Sequence, residues 1–421
     1  MKYMNYICLL SITVLWFACS KGEQKIDSKT FKQKGNIAYY NEQPYSGVAY
    51  NFDKKGNVIK EVTYKDGIEN GNVIEFYPSG EKKSEVVLVN GVMDGEKKKY
   101  YKSGGLRSVE VIIDGKLDSI KVDFYENSIK KAETYYMEGK KNGLHKQWYE
   151  NEQPKKEISF VDNKKEGKEI SWYENGQLKS EIFFKEGEKD TLSRMWYENG
   201  QLKFSTLYEN GQKVGKEQGW HENEQPSIEA NYVMNQLDGK KISWYENGQK
   251  KFEGLYSKGE PNGKIMSWYE NGNPKKESTY EKNKLVGQSI VWYDNGIKKS
   301  EQNYVNGVKS GKNKEWYKNG NLKSEVVYES NGTLSKVVKW YENGNKRSEE
   351  NYKQGSKEGL TAYWHTNGMK KSETIFAANK QVGATKRWDD IGKVILGNKN
   401  SNSKNTKGKN SNSKNTKEQS K

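Results

Sequence analysis

Aromatic residues return along this chain at a fixed interval of 24 positions. Steps of 24 from Phe52 to Trp388 meet an aromatic residue at all fifteen positions, and eleven of these residues are Trp. A second series lies midway between them, from Tyr64 to Phe376, and twelve of its fourteen members are aromatic. The residues between the two series are mainly polar or charged. Such a regular period predicts tandem copies of one structural unit.

Turn-forming residues divide each period into two halves. Asn-Gly follows the Trp in most units, as at Asn175 and Gly176, and a turn such as Glu186-Gly187 follows the mid-unit aromatic residue. We expect Asn-Gly to form the tight turn, because both residues tolerate positive φ, and the second turn to be looser. A turn every twelve residues leaves strands of about five or six residues and no room for an ordinary helix.

The pattern predicts an all-β fold, an elongated single-layer antiparallel meander of about fifteen 24-residue β-hairpin repeats. Only 32% of the residues are hydrophobic, but 12% are aromatic. The two aromatic series should form rows along opposite edges of the sheet, since each stands where its strand enters a different turn. A buried ring contributes at most about 4–6 kcal/mol, so rows of rings can replace a conventional core.

The first residues resemble a bacterial lipoprotein signal. An apolar run ends at Ala18, Cys19 follows, and the chain then becomes polar; Trp16 stands where such signals usually carry Leu. The resemblance implies a signal peptide over residues 1–18, acylation of Cys19, and a polar tether over residues 19–36. We therefore expect an envelope protein held by its lipid at the outer membrane or cell surface. An ordinary secretory signal, in which Cys19 has no role, is the alternative.

Positive charge is spread along the repeats rather than gathered in one patch. The net charge is +16, and residues 398–421 alone, with seven Lys and one Glu, supply +6. The hairpin array spans residues 37–396, and residues 397–421 form a low-complexity basic tail that we expect to be disordered. The array keeps an even mixture of charges, so no nucleic-acid partner is expected.

The sequence contains no evident catalytic constellation. Its three histidines are His145, His221 and His365, and the last two occupy the position of Tyr in most units, which predicts simple aromatic replacement. Carboxylates recur nine residues after the Trp position, at Glu61, Glu85, Glu133, Glu157, Glu181, Glu229, Glu253, Glu277, Glu301, Glu325, Glu349 and Glu373. Such a series suits Ca²⁺ or acid–base chemistry, but Lys two positions earlier in several units predicts Lys–Glu pairing on a solvated face. We expect no enzyme activity, no metal and no cofactor.

The tryptophans of the array are the candidate structural or binding residues. They are Trp148, Trp172, Trp196, Trp220, Trp244, Trp268, Trp292, Trp316, Trp340, Trp364 and Trp388. Identical spacing favours packing between repeats. Stacked Trp and Tyr rings also suit sugars, so both roles are kept open.

The motif W-Y-x-N-G-x-L-K-S-E, followed by an aromatic residue and x-x-G-x-x-x-G, resembles the MORN-repeat variant of bacteria. Residues 172–187 and 316–332 carry the motif best, and the resemblance covers about residues 37–396. Members of this family are often catalogued as antitoxin-like proteins of toxin–antitoxin systems. The resemblance implies a hairpin array that serves as a binding surface without catalytic residues.

The function expected is that of a non-enzymatic, envelope-anchored scaffold. It would contact the membrane through its lipid and present an extended β surface to an unidentified protein partner. Two alternatives remain: binding of cell-wall or other envelope polysaccharide through the aromatic rows, and immunity, in the manner of an antitoxin, against a secreted toxin.

Overall fold

The computed structural model describes residues 25–395. Almost all of them lie in β-strands and turns, and one short 3-10 helix, Ser28–Thr30, stands near the start. Within these residues, no helix has the length and apolar character needed to cross a membrane. The predicted signal peptide, Cys19 and the whole basic tail lie outside the described residues. The chain divides into two compact units between Glu224 and Gln225.

The first unit is an antiparallel meander in which each main strand pairs with the strand before it and the strand after it. Its strands are β1 (Ile26–Asp27), β2 (Lys32–Lys34), β3 (Ile37–Tyr40), β4 (Gln43–Pro44), β5 (Gly47–Phe52), β6 (Val58–Lys65), β7 (Ile68–Phe76), β8 (Lys82–Val89), β9 (Val92–Tyr100), β10 (Leu106–Ile113), β11 (Lys116–Phe124), β12 (Lys130–Met137), β13 (Lys140–Trp148), β14 (Pro154–Val161), β15 (Lys164–Trp172), β16 (Leu178–Lys185), β17 (Glu188–Lys189), β18 (Thr191–Trp196), β19 (Leu202–Glu209) and β20 (Gln212–Trp220).

The second unit repeats the same meander. Its strands are β21 (Pro226–Val233), β22 (Gln236–Trp244), β23 (Lys250–Ser257), β24 (Glu260–Trp268), β25 (Pro274–Glu281), β26 (Lys284–Trp292), β27 (Lys298–Val305), β28 (Val308–Lys309), β29 (Gly311–Trp316), β30 (Leu322–Tyr328), β31 (Leu334–Trp340), β32 (Lys346–Lys353), β33 (Ser356–Lys357), β34 (Gly359–Trp364), β35 (Lys370–Ala377), β36 (Lys380–Trp388) and β37 (Val394–Ile395). The predicted all-β hairpin meander is confirmed.

The turn after the mid-unit aromatic residue is the short one, contrary to the prediction. Lys185 pairs directly with Glu188, so only two residues connect the strands. Both of them, Glu186 and Gly187, have positive φ, at 52° and 90°. Two successive residues with positive φ are the signature of the type I′ hairpin turn. Short turns leave more of the period for strands, and most strands have eight or nine residues rather than five or six.

The loop after each Trp is the longer one and contains Asn-Gly. Five residues follow Trp172, and the loop closes through a hydrogen bond from the Tyr173 amide to the Gln177 carbonyl of 2.8 Å. Only Gly176 has positive φ, at 83°. The Asn175 side-chain oxygen accepts from the Gln177 amide at 2.9 Å. Asn is therefore used here for its side chain, because that contact completes the loop.

Hydrogen bonds tie both rows of turns to the next repeat. The Asn175 side-chain amide donates to the carbonyl of Glu198 at 3.0 Å. On the opposite edge, the Gly187 amide donates to the carbonyl of Lys165 at 2.9 Å, and the Glu186 amide donates to the Glu166 carboxylate at 2.8 Å. The joined residues lie 20 to 23 positions apart. Each turn therefore needs its neighbour for its polar groups to be satisfied.

The sheet has two chemically different faces. Neighbouring residues of a strand point to opposite faces, and Phe183 and Phe184 divide in this way: Lys168 lies over the first ring and Lys165 over the second. Trp172 shares the face of Lys168, which we call the tryptophan face. The mid-unit aromatic residues lie on the other face, which we call the tyrosine face. The two aromatic series stand at opposite edges, as predicted, and also on opposite faces.

A buried cluster closes the start of the first unit. Ala49, Val62, Val73 and Leu88 are at most 7% exposed, and the ring of Phe31 packs against this cluster. The β1 strand pairs in parallel with β5. Residues 25–36, which the sequence analysis placed in the tether, pair with later strands through β1 and β2, and Phe31 packs against the cluster.

Candidate functional site

The predicted tryptophans form a row on the tryptophan face, each just before a long loop and each partly buried. The residue six positions after each Trp fills the space towards the next ring. Lys250, in this position, holds its ammonium 5.9 Å from the ring centre of Trp268, whereas Leu178 takes the same position between Trp172 and Trp196. The row thus packs repeat against repeat and leaves part of each ring open to solvent.

The recurring glutamates pair with lysines on the tryptophan face. Glu253 contacts Lys240 on the neighbouring strand and Lys250 on its own strand, both at 2.7 Å. These hydrogen bonds lower the pKa of the Glu253 carboxyl. Pairing was predicted, but with Lys251, which instead lies on the tyrosine face 5.3 Å from the ring centre of Tyr245. The bulge at the start of the strand moves that lysine to the other side.

A row of tyrosines follows the tryptophans on the tyrosine face, and sequence reasoning missed its role. The Tyr173 hydroxyl donates to the carbonyl of Trp196, one repeat further on, at 2.9 Å. His365 makes the matching contact through Nε2, 3.1 Å from the Trp388 carbonyl, which supports its interpretation as an aromatic replacement. Equivalent contacts of 2.7 to 3.0 Å come from Tyr77, Tyr101, Tyr125, Tyr149, Tyr197, Tyr245, Tyr269, Tyr293, Tyr317 and Tyr341.

A row of exposed cations lies over these tyrosine rings, and we call it the stacked-cation row. The charged groups lie 4.8 to 5.9 Å from the ring centres, a distance typical of cation–π contacts. The row comprises Lys131, Lys155, Lys179, Lys203, Lys251, Lys275, Lys299, Lys323 and Arg347. All of them except Lys203 stand two positions before a recurring glutamate, so the lysines among them are those that the sequence had assigned to Lys–Glu pairing.

His145 lies on the floor of a cavity on the tyrosine face of the first unit. The cavity has a volume of about 400 Å³, and Tyr101, Tyr125 and Tyr136 form part of its walls. The Thr134 hydroxyl lies 2.7 Å from Nδ1 of His145. Burial lowers the pKa of the imidazole, and nearby lysines lower it further. We call this the His145 cavity. Within residues 25–395 no group of three or more His, Cys, Asp or Glu side chains could hold a metal ion.

Exposed apolar residues accumulate on the tryptophan face of the first unit, beside the short turns. Met137 is 55% exposed, Val161 51% and Phe183 37%. The group, which we call the apolar margin, comprises Val89, Ile113, Tyr135, Met137, Val161, Phe183 and Leu207. It includes at least one member from each successive repeat between residues 89 and 207. An apolar surface of this continuity is unusual on a soluble protein without a partner.

Eight segments of the chain match the family model described as the MORN repeat variant. The matched segments are residues 141–162, 165–186, 189–210, 237–258, 261–282, 285–306, 309–330 and 336–354. Segment 165–186, for example, covers β15, its long loop and β16. The chain thus carries MORN-variant repeats in both units. No curated protein matches the chain.

Solved structures that resemble the chain are much larger proteins. The crystal structure of TcdB2-TccC3-TEV is 12% identical over 83% of this chain and 23% of its own chain, with a TM-score of 0.15. The Photorhabdus luminescens Tc holotoxin pore with the mutation TccC3-D651A is 11% identical over 81% of this chain and 20% of its own, with a TM-score of 0.14. This chain spans less than a quarter of the length of either protein. At such TM-scores the similarity carries no argument about function.

Proposed function

We propose that this MORN-variant repeat protein is a non-enzymatic scaffold of the cell envelope, anchored by a lipid on Cys19, that binds a protein partner along the apolar margin. The repeats support the scaffold, because each one supplies the same backbone and a variable set of exposed side chains. The position of the anchor is taken from the sequence, since Cys19 lies outside the described residues.

The exposure of the apolar margin carries the proposal. Met137 and Val161 occupy equivalent positions in successive repeats, and half of each side chain is open to water. Burying apolar surface contributes about 25 cal/mol per Å², so a partner that covers this margin gains affinity from several repeats together. Lysines and glutamates of the same face pair with one another in the first unit, as Lys130 does with Glu133 and Lys168 with Glu181. Such pairs need no partner for neutralisation.

Crosslinking on intact cells, followed by identification of the bound molecules, tests the proposal. The double variant Met137→Glu/Val161→Glu should lose the partner, because charge enters the apolar margin. The matched control Val233→Glu/Val305→Glu changes the equivalent positions of the second unit, which are 55% and 53% exposed. The control should keep the partner. Equal recovery with both variants, or recovery of polysaccharide in place of protein, would overturn the proposal.

Anchoring is tested separately through Cys19. The variant Cys19→Ser should move the protein from the membrane fraction to the soluble fraction and should abolish incorporation of labelled fatty acid. A protein that stays in the membrane fraction without incorporating the label would contradict lipid anchoring. Immunity against a secreted toxin is a special case of the same scaffold function. It predicts that the crosslinked partner is toxic to cells that lack this protein.

A further inference from the structure

Cationic side chains outnumber carboxylates in the lining of the His145 cavity. Five cationic side chains line it, namely Arg107, Lys121, Lys131, Lys141 and Lys155. Asp123 is the one carboxylate in the lining, and it is already paired with Lys121 at 3.2 Å. Within the part of the chain that the structure describes, Arg107 makes no ion pair. The lining therefore carries a formal surplus of four positive charges.

The cations of the two faces differ in how they are compensated. On the tryptophan face, lysines such as Lys240 and Lys250 are held by the recurring glutamates. In the described residues, Lys131 and Lys155 of the stacked-cation row have tyrosine rings beneath them and no carboxylate within 4.0 Å. A ring face stabilises a cation without neutralising it. These charges remain available to an anion.

The walls and floor of the cavity suit a compact organic ligand. Its volume of about 400 Å³ falls within the range of roughly 300–1,000 Å³ that is usual for small-molecule sites. Tyr101 and Tyr125 give it rigid sides, since their hydroxyl groups are fixed on backbone carbonyls. The cationic side chains therefore line a half-open space of limited volume, which favours a small anion over a long polymer.

We propose that the His145 cavity binds a small anion with two or more phosphate or carboxylate groups. Arg107 offers a planar fork of donors that suits either group, and the lysines supply further charge-assisted hydrogen bonds. The anionic groups could belong to a free metabolite or to the headgroup of a lipid, and the chemistry of recognition is the same. The site lies on the face opposite the apolar margin, so it does not depend on the protein partner.

Calorimetry on the purified full chain with pyrophosphate and with citrate tests the site. Both anions should bind more tightly than acetate. The double variant Lys131→Gln/Lys155→Gln should weaken binding by about tenfold or more, because two charge-assisted hydrogen bonds are removed. Lys251→Gln/Lys275→Gln is the matched control: it removes the same contacts over Tyr245 and Tyr269 in the second unit. Equal losses with both variants, or no binding of either anion, would overturn the proposal.

Two further measurements locate the ligand and its source. The chain has three histidines, so NMR of a protein without a His tag should show that pyrophosphate shifts the signals of His145 and leaves those of His221 and His365 in place. Movement of all three would refute a local site. Phosphatidylcholine vesicles containing phosphatidic acid test the lipid headgroup as the source. Binding of the protein to these vesicles that depends on Lys131 and Lys155 supports a lipid headgroup as the ligand. Equal binding of both double variants to the vesicles speaks against the cavity as the site.

Discussion

The two units build the same repeat around different interiors. In the first unit the middle of the tyrosine face buries the apolar Ile158 and Ile182, and at the same position of other repeats Thr134 and Thr206. At the equivalent position the second unit buries Ala230 and Ser278, and its other buried side chains are mostly polar, among them Ser289, Asn313 and Thr361. The hydroxyl groups of Ser278 and Ser289 pair with each other at 2.7 Å between their oxygens, and Asn313 bonds to backbone groups around it. The comparison teaches that the same turns, backbone pairing and tyrosine row accommodate interiors of different polarity.

The largest expected effect tests this difference between the interiors. Ile158 is 1% exposed, and Ile158→Ala should reduce the free energy of unfolding by about 2–4 kcal/mol, because it leaves a cavity. The double variant Ser278→Ala/Ser289→Ala should change it by less than about 1 kcal/mol, because both partners of a hydrogen bond are removed together. Urea denaturation of the full chain, with hydrogen exchange to assign the unit affected, measures both. Equal losses would mean that the interiors contribute alike.

A smaller effect should be the same in both units. Tyr173→Phe in the first unit and Tyr293→Phe in the second each remove one hydroxyl contact to a backbone carbonyl, of 2.9 and 3.0 Å. Each change should cost about 0.5–1.5 kcal/mol. Hydrogen exchange of the following repeat is the sensitive measurement, since the accepting carbonyl lies there. Unequal costs would show that the tyrosine row serves one unit more than the other.

The smallest effect is a pH dependence confined to the first unit. Burial lowers the pKa of His145, with Lys141 and Lys156 acting in the same direction. As the pH falls through the ordinary His value of about 6.5, the unfolded chain takes up a proton that the folded chain refuses. The free energy of unfolding therefore decreases as the pH falls from about 6.5 to the lowered pKa of His145. Above about pH 6.5 His145 is neutral in both states and makes the free energy of unfolding no more dependent on pH.

The control for this pH dependence is His145→Gln, which cannot titrate in that range. Unfolding by urea between pH 7 and 5 should show a steeper loss of stability in the wild-type chain than in the variant. Asp123 and Glu169 also face His145 and oppose the shift. If the two chains lose stability in parallel, His145 is protonated in the folded state as readily as in the unfolded state.

Period and turn residues were sufficient to predict the strands and their meander. They could not identify the shorter turn, because Asn175 and Gly176 look like a type I′ pair in sequence, and the side-chain contact that places Asn175 in the longer loop is a tertiary detail. The predicted strands of five or six residues were too short for the same reason, because the wrong turn was taken as the short one. The sequence did not show on which face each lysine lies, because a bulge shifts the alternation of side chains between the two faces by one residue. Lys251 therefore lies over Tyr245 and does not pair with its predicted partner, Glu253.

The candidate site was predicted less completely than the fold. The tryptophans were identified as a row, but their neighbours could not be, since the residue that fills the gap lies on the preceding repeat. The tyrosine row had a signal in the sequence, since a Tyr directly follows most of the tryptophans. The sequence could not identify the acceptor of the Tyr hydroxyl, which is a backbone carbonyl 23 residues further on. The His145 cavity had no sequence signal at all, because its cations come from positions that are basic in many repeats.

The hydrogen bonds that join one turn to the next have a consequence for how such a protein evolves. They connect positions separated by 20 to 23 residues, and gaining or losing one complete 24-residue copy leaves every such separation unchanged. Unequal recombination within the gene can therefore lengthen or shorten the protein without disturbing a contact. A gain of twelve residues would instead put a tryptophan against a type I′ turn and break the pairing on both edges.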